Sequence, residues 1–130
     1  MGARGDDAES VEREWLHLLE WQSPPHSDTD WFTPLFWPLL QAMAAEPTLR
    51  AGFPARSMDA IGVVPDADWW ASPEAERRRW LMIATGSLGI YTVCTDITPH
   101  GSREVLETDD PHAAAASLAD LVAEWRARDA

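Results

Sequence analysis

The tryptophans are the residues whose chemistry stands out first, because a chain of 130 residues contains eight of them. Each indole can bury on the order of 200 Å² and offers a stacking face and one hydrogen-bond donor. Trp15, Trp80 and Trp125 fall on apolar faces of predicted elements, and we expect them in the core. The remaining five fall at helix ends or in polar loops, namely Trp21, Trp31, Trp37, Trp69 and Trp70.

Converging loop tryptophans would form an aromatic wall. Such a wall suits an apolar ring, a cationic ligand or a proline-rich peptide, because indole has an electron-rich face and a donor at its edge. The alternative for Trp69 and Trp70 is a lid folded over the core of a small domain. The predicted binding surface combines tryptophans with loop polar residues: Trp31, Trp37, Trp69, Trp70, His26, Asp30, Arg78 and His100.

The polar members of this predicted surface also have simpler explanations. Asp30, near His26, could hold a cation or act in acid–base chemistry, but the further oxygen ligands and the glycine of a metal loop are missing, and helix capping is the simpler explanation. Arg78 belongs to the only basic run, which could clamp a carboxylate or phosphate or pair with nearby glutamates. His100 and His112 could meet at one end of the sheet, together with the acids that precede the last helix.

Recognisable catalytic and cofactor motifs are missing from the sequence. The four histidines include no pair spaced four residues apart, and the seven glycines lack the spacing of a phosphate-binding loop. No serine lies in a Gly-x-Ser-x-Gly motif, and Cys94 is expected to be a small buried residue. We therefore expect no cofactor and no metal, and leave open whether the protein is an enzyme.

Charge and composition narrow the possible partners. Ten basic residues against 22 acidic ones give a net charge of -12, which disfavours nucleic acid and anionic membranes and favours a cationic partner. The acidity could also serve solubility alone. One cysteine forms no intrachain disulfide, and no apolar stretch approaches the ~18 residues of a membrane span. We expect a cytoplasmic protein that binds a protein, a peptide or a small aromatic molecule, and a homodimer is one of the oligomeric states left open.

Hydrophobic periodicity predicts the elements that would position these residues. Helices are expected over 8–22, from Asp30 or Thr33 to Ala45, and after Asp109 or Asp110 with Pro111 in the first turn. Strands are expected over 60–64, 80–87, 88–95 and 103–108, with turns over 46–50 and up to the pair Phe53 and Pro54. Residues 1–7 are expected to be disordered and residues 8–130 to form one α+β domain. Its antiparallel sheet of three to four strands would pack against two N-terminal helices and one C-terminal helix.

Residues 40–130 resemble a family of small actinobacterial proteins of unknown function that are labelled natural-product biosynthesis proteins. The resemblance lies in 40–45, the turn 46–50, Phe53 with Pro54, Ser57, the strand around Tyr91 and the passage 104–116. After Ser57 the chain departs from the family pattern. The resemblance implies a genomic context and assigns no catalytic residue.

Three functional hypotheses follow. The first is a non-catalytic accessory or binding protein of a bacterial natural-product pathway that uses a tryptophan-rich acidic surface to contact a partner enzyme, a peptide or an aromatic intermediate. The second is a small cofactor-free cyclase or isomerase with a tryptophan-lined pocket. The third is an acidic immunity or inhibitor protein that covers a basic cleft.

Overall fold

A computed structural model describes residues 8–24, 33–57, 60–64, 81–85, 89–98 and 101–129. The segment 1–7, which was predicted to be disordered, lies outside these ranges. The described helices are α1 (Ala8–Gln22), α2 (Thr33–Ala44), α3 (Pro47–Arg50) and α4 (Pro111–Asp129). None of them combines the length and the apolar character that a bilayer crossing requires.

The sequence explains where the helices lie and which face each one buries. Val11, Trp15 and Leu18 follow helical spacing along α1, and all three are buried. At the start of α4 the Asp110 carboxylate accepts a hydrogen bond from the His112 backbone N–H at 2.9 Å, as expected for a capping residue. The predicted acidic cap of the last helix is therefore confirmed for Asp110.

In the part of the chain that the structure describes, five strands form one antiparallel sheet with the order β1-β2-β3-β4-β5. Neighbours along the chain are neighbours in the sheet, so every pairing is a local up-and-down connection. The α+β prediction is confirmed, with one strand more than the three to four expected. The bounds are β1 Phe53–Ser57, β2 Ala60–Val64, β3 Leu81–Thr85, β4 Tyr91–Thr98 and β5 Gly101–Thr108.

The additional strand is β1, whose first residues were predicted to be a turn. Pro54 has no N–H to donate to a ladder, and proline within a sheet is therefore confined to edge strands, strand starts and bulges. Here it is the second residue of an edge strand and pairs with Val63. The turn predicted over 46–50 contains the single-turn helix α3, which leads directly into this strand.

The two faces of the sheet differ in what packs on them. Ile61, Ile83 and Val93 occupy adjacent register positions and join the main core with residues of the helices. Ala55 and Val64 belong to a second, smaller cluster with Phe53 and Met82 beside it. Strand alternation therefore places the helices on the Ile83 face of the sheet.

Cys94 lies on the sheet face opposite the main core. It pairs with Met82 in the register and is 4% exposed, which confirms the expectation of a small buried residue. Beside it the β4–β5 register shifts between Val93 and Cys94. Val93 pairs with Leu106 and Cys94 with Glu104, which leaves Val105 as an extra residue in a β-bulge of the edge strand β5.

Candidate functional site

Of the predicted binding residues, the structure describes only Trp37. It is half-buried on α2, next to the fully buried Phe36. The convergence predicted for these residues stays a prediction, because the other members lie outside the described residues: Trp31, Trp69, Trp70, His26, Asp30, Arg78 and His100.

The tryptophans predicted to be structural have two different environments. Trp15 is completely buried, and its Nε1–H donates to the Gly52 carbonyl at 2.9 Å. Trp125 packs against the main core, but its buried Nε1–H has no hydrogen-bond partner among the described residues. Trp80 lies outside the described residues. The predicted core position of Trp15 is confirmed, and Trp125 lies at the margin of the same core.

One side of α1 is held by charged contacts around Trp15. The Arg50 guanidinium donates to both carboxylate oxygens of Glu12, at 2.9 and 2.6 Å, and lies 5.8 Å from the centroid of the Trp15 ring. The hydrogen bond from Arg50 lowers the pKa of Glu12, and the same bond raises that of Arg50. A planar guanidinium that meets a carboxylate at two points fixes orientation as well as distance.

The C-terminal helix α4 also contacts the segment around Thr48 and Gly52. Arg126 of α4 donates to the Thr48 carbonyl at 2.9 Å, and burial lowers its pKa. A Cβ added to Gly52 would lie 2.9 Å from Nη2 of Arg126 and 3.2 Å from Cβ of Val63. A side chain here would displace the flexible end of Arg126 and press on Val63, so α1, α3, β1 and α4 meet closely around residue 52. We call Glu12, Trp15, Arg50, Gly52 and Arg126 the anchoring junction.

At its C-terminal end, α1 presents a tryptophan to solvent. Trp21 is 64% exposed, the most exposed of the large apolar residues that the structure describes. The Arg56 guanidinium of β1 lies 5.2 Å from the centroid of its ring and 4.7 Å from that of Phe36. Phe36 is fully buried. A chain of stacked groups therefore runs from the core through Arg56 to an indole at the surface, and it limits where that indole can lie.

Three more exposed side chains surround Trp21 on the outer face of α1. Leu16 is 54% exposed, and His17 and Glu20 are exposed as well. Residues three and four positions apart are neighbours on a helix surface. Leu16, His17, Glu20 and Trp21 thus form one continuous area, which we call the α1 patch. Within it Leu16 is adjacent to Glu20, and His17 is adjacent to Trp21.

The charges around the α1 patch are mainly acidic. Glu9 and Glu12 are exposed toward the N-terminal end of the helix, and Glu20 lies within the patch. Arg13 is engaged by Glu9 at 3.6 Å, and Glu12 by Arg50. Within the described ranges, no three His, Cys, Asp or Glu residues are grouped so as to hold a metal ion. The arrangement offers apolar and π contact with an adjoining carboxylate.

Comparisons with known proteins add no assignment to this geometry. No family model matches the chain, and the searches of curated proteins and of solved structures give no significant match. The resemblance of residues 40–130 to the natural-product family therefore stays a prediction.

Sequence reasoning missed two residues of this region. The exposure of Leu16 could have been predicted from the sequence, because this leucine interrupts the polar side of an otherwise amphipathic helix. No sequence pattern indicated Arg56, because its role depends on how β1 packs beside α1 and α2. Trp21 was correctly placed at a helix end, but its exposure and its stacking partner required the tertiary structure.

Proposed function

We propose that this protein is a non-catalytic binding protein that recognises a partner through the exposed, held indole of Trp21. The observation that carries the proposal is the stack of Trp21, Arg56 and Phe36, which fixes an indole at 64% exposure. Tryptophan and arginine dominate the energetics of protein interfaces, and an anchor that is already ordered loses less entropy on binding.

The proposal also includes a pathway and a cellular compartment. The resemblance of residues 40–130 supports an accessory role in a bacterial natural-product pathway, with a partner enzyme, a peptide or an aromatic intermediate as the bound species. The single cysteine supports a reducing compartment, the cytoplasm. Both statements are part of the proposal, whereas the exposed stack is a property of the structure.

Calorimetric titration with three classes of probe tests the binding role. The probes are a fused-ring aromatic carboxylate, a proline-rich peptide and an amphipathic basic peptide. At least one class should bind, and Trp21→Ala should weaken that binding by about tenfold or more, as loss of an interface hot spot does.

Ile90→Ala is the matched control, because Ile90 is also an exposed apolar residue but precedes β4, away from α1. This variant should bind as the wild type does. The absence of binding to all three classes, or equal binding by Trp21→Ala, would refute the proposed function.

A further inference from the structure

The α1 patch has a shape and composition that select among possible partners. Its two apolar side chains, Leu16 and Trp21, are five residues apart, or about 7.5 Å along the helix axis. They are at opposite corners of the patch. Glu20 lies beside Leu16, His17 lies beside Trp21, and Glu20 and His17 are neighbours between the two apolar groups. A partner that covers both apolar groups must therefore also cover the Glu20 carboxylate.

Covering that carboxylate is unfavourable unless the partner supplies a positive charge or a donor. Loss of water from an unpaired carboxylate costs several kcal/mol, on the order of 2–7 even for a neutral polar group. The described arginines near the patch have other contacts: Arg13 with Glu9, Arg50 with Glu12, and Arg56 with the rings of Trp21 and Phe36. A bidentate arginine or a lysine on the partner would satisfy Glu20.

The net charge of the whole protein also favours a cationic partner. A net charge of -12 raises the encounter rate with a cationic surface and lowers it with an anionic one. A second copy of this chain would oppose acid with acid across α1, and an anionic bilayer would be repelled. A cationic protein segment is the partner whose charge complements the patch.

Building on the proposed function, we propose that the α1 patch is the docking site for a basic amphipathic protein segment. The segment's apolar side chains would lie on Leu16 and Trp21, and a flanking Lys or Arg would pair with Glu20. The apolar groups supply affinity, and the ion pair supplies orientation and discrimination against neutral aromatic ligands. The Arg56 stack keeps Trp21 in place for this contact.

Three synthetic peptides of equal length provide the test. The first alternates leucine and arginine at helical spacing, the second replaces the arginines by glutamate, and the third replaces the leucines by serine. Binding to the full chain is measured by calorimetry at low and at high salt. We expect the first peptide to bind at least about tenfold more tightly than either of the others, and its affinity to fall as salt rises.

Variants of the chain locate the contact. Leu16→Ser and Glu20→Gln should each weaken the first peptide by about fivefold to tenfold, and Glu20→Gln should also reduce the salt dependence. Glu124→Gln is the matched control, because this glutamate is exposed on α4 and its loss removes the same charge. Circular dichroism and the unfolding midpoint verify that each variant is folded.

The outcomes separate this inference from the proposed function. If Trp21→Ala abolishes binding of a neutral aromatic probe while Leu16→Ser and Glu20→Gln have no effect, the binding role survives and the docking inference is wrong. Equal weakening by Glu20→Gln and Glu124→Gln would reduce the effect to total charge and overturn it. Concentration-dependent dimerisation that Leu16→Ser abolishes would assign the patch to a second copy and would also overturn it.

Discussion

The two sides of helix α1 place the same pair of residue types, a tryptophan and an arginine, in different environments. On the inner side an indole is fully buried, donates to a backbone carbonyl and has an arginine over its ring. On the outer side another indole also has an arginine over its ring but remains mostly exposed. Trp15 and Trp21 thus make similar cation–π contacts, and burial with a hydrogen bond distinguishes Trp15 from the exposed Trp21.

The largest expected difference is between the alanine variants of these two tryptophans. Trp15→Ala removes a fully buried ring and leaves the Gly52 carbonyl without its donor, and we expect a loss of about 3–5 kcal/mol in the free energy of unfolding. Trp21→Ala removes one exposed cation–π contact, and we expect a loss of about 1 kcal/mol or less. Urea denaturation measures both. Comparable losses would show that the outer indole is structural.

A finer comparison separates the ring of Trp15 from its N–H. Trp15→Phe keeps an aromatic ring but leaves the Gly52 carbonyl unpaired, and it should cost about 1–3 kcal/mol. Trp125→Phe removes a buried N–H for which the described part of the chain supplies no partner. Because loss of that group also removes its desolvation penalty, we expect this second variant to be within about 1 kcal/mol of the wild type. A larger loss in Trp125→Phe would reveal a hydrogen bond at Trp125.

The smallest expected effect is the pH dependence of the Glu12–Arg50 pair. The pKa of Glu12 in the folded protein lies below its ordinary value of 4.5. The pair's contribution is therefore complete above that value and is lost as the pH falls through the lower folded pKa. Relative to wild type, Glu12→Gln should lower the thermal midpoint at neutral pH, and the difference should shrink toward zero in acid.

The salt dependence and a second variant serve as controls for that measurement. Both side chains are partly exposed, so high salt should reduce the difference at neutral pH. In an Arg50→Gln background, Glu12→Gln should no longer change the acid dependence. A difference that persists there would assign the effect to another group near Glu12.

Much of the fold was predictable because the local patterns agree with the tertiary structure. The helix over 8–22, the strand over 60–64 and the acid-capped last helix all carry strong periodicity or end signals. The first strand could not be found in this way. Pro54 normally indicates a turn, and only the pairing of β1 with β2 at the sheet edge makes it a strand residue.

The candidate site was less predictable, for a physical reason. Aromatic abundance indicated contact residues, and Trp21 was among the tryptophans named. Whether an indole is buried depends on packing between elements distant in sequence, such as Arg56 on Phe36. A helical pattern gives the angle of a side chain around its own helix but does not identify the neighbour it meets.

The position of Gly52 bears on how this chain folds. Its carbonyl is bound by α1, and its missing side chain leaves space for Arg126, which also contacts Thr48 from 78 residues away. Closing so long a loop lowers the entropy of the chain before the contact between Arg126 and Thr48 can offset that loss. On a translating ribosome, the contacts around Gly52 would thus remain incomplete until α4 has emerged.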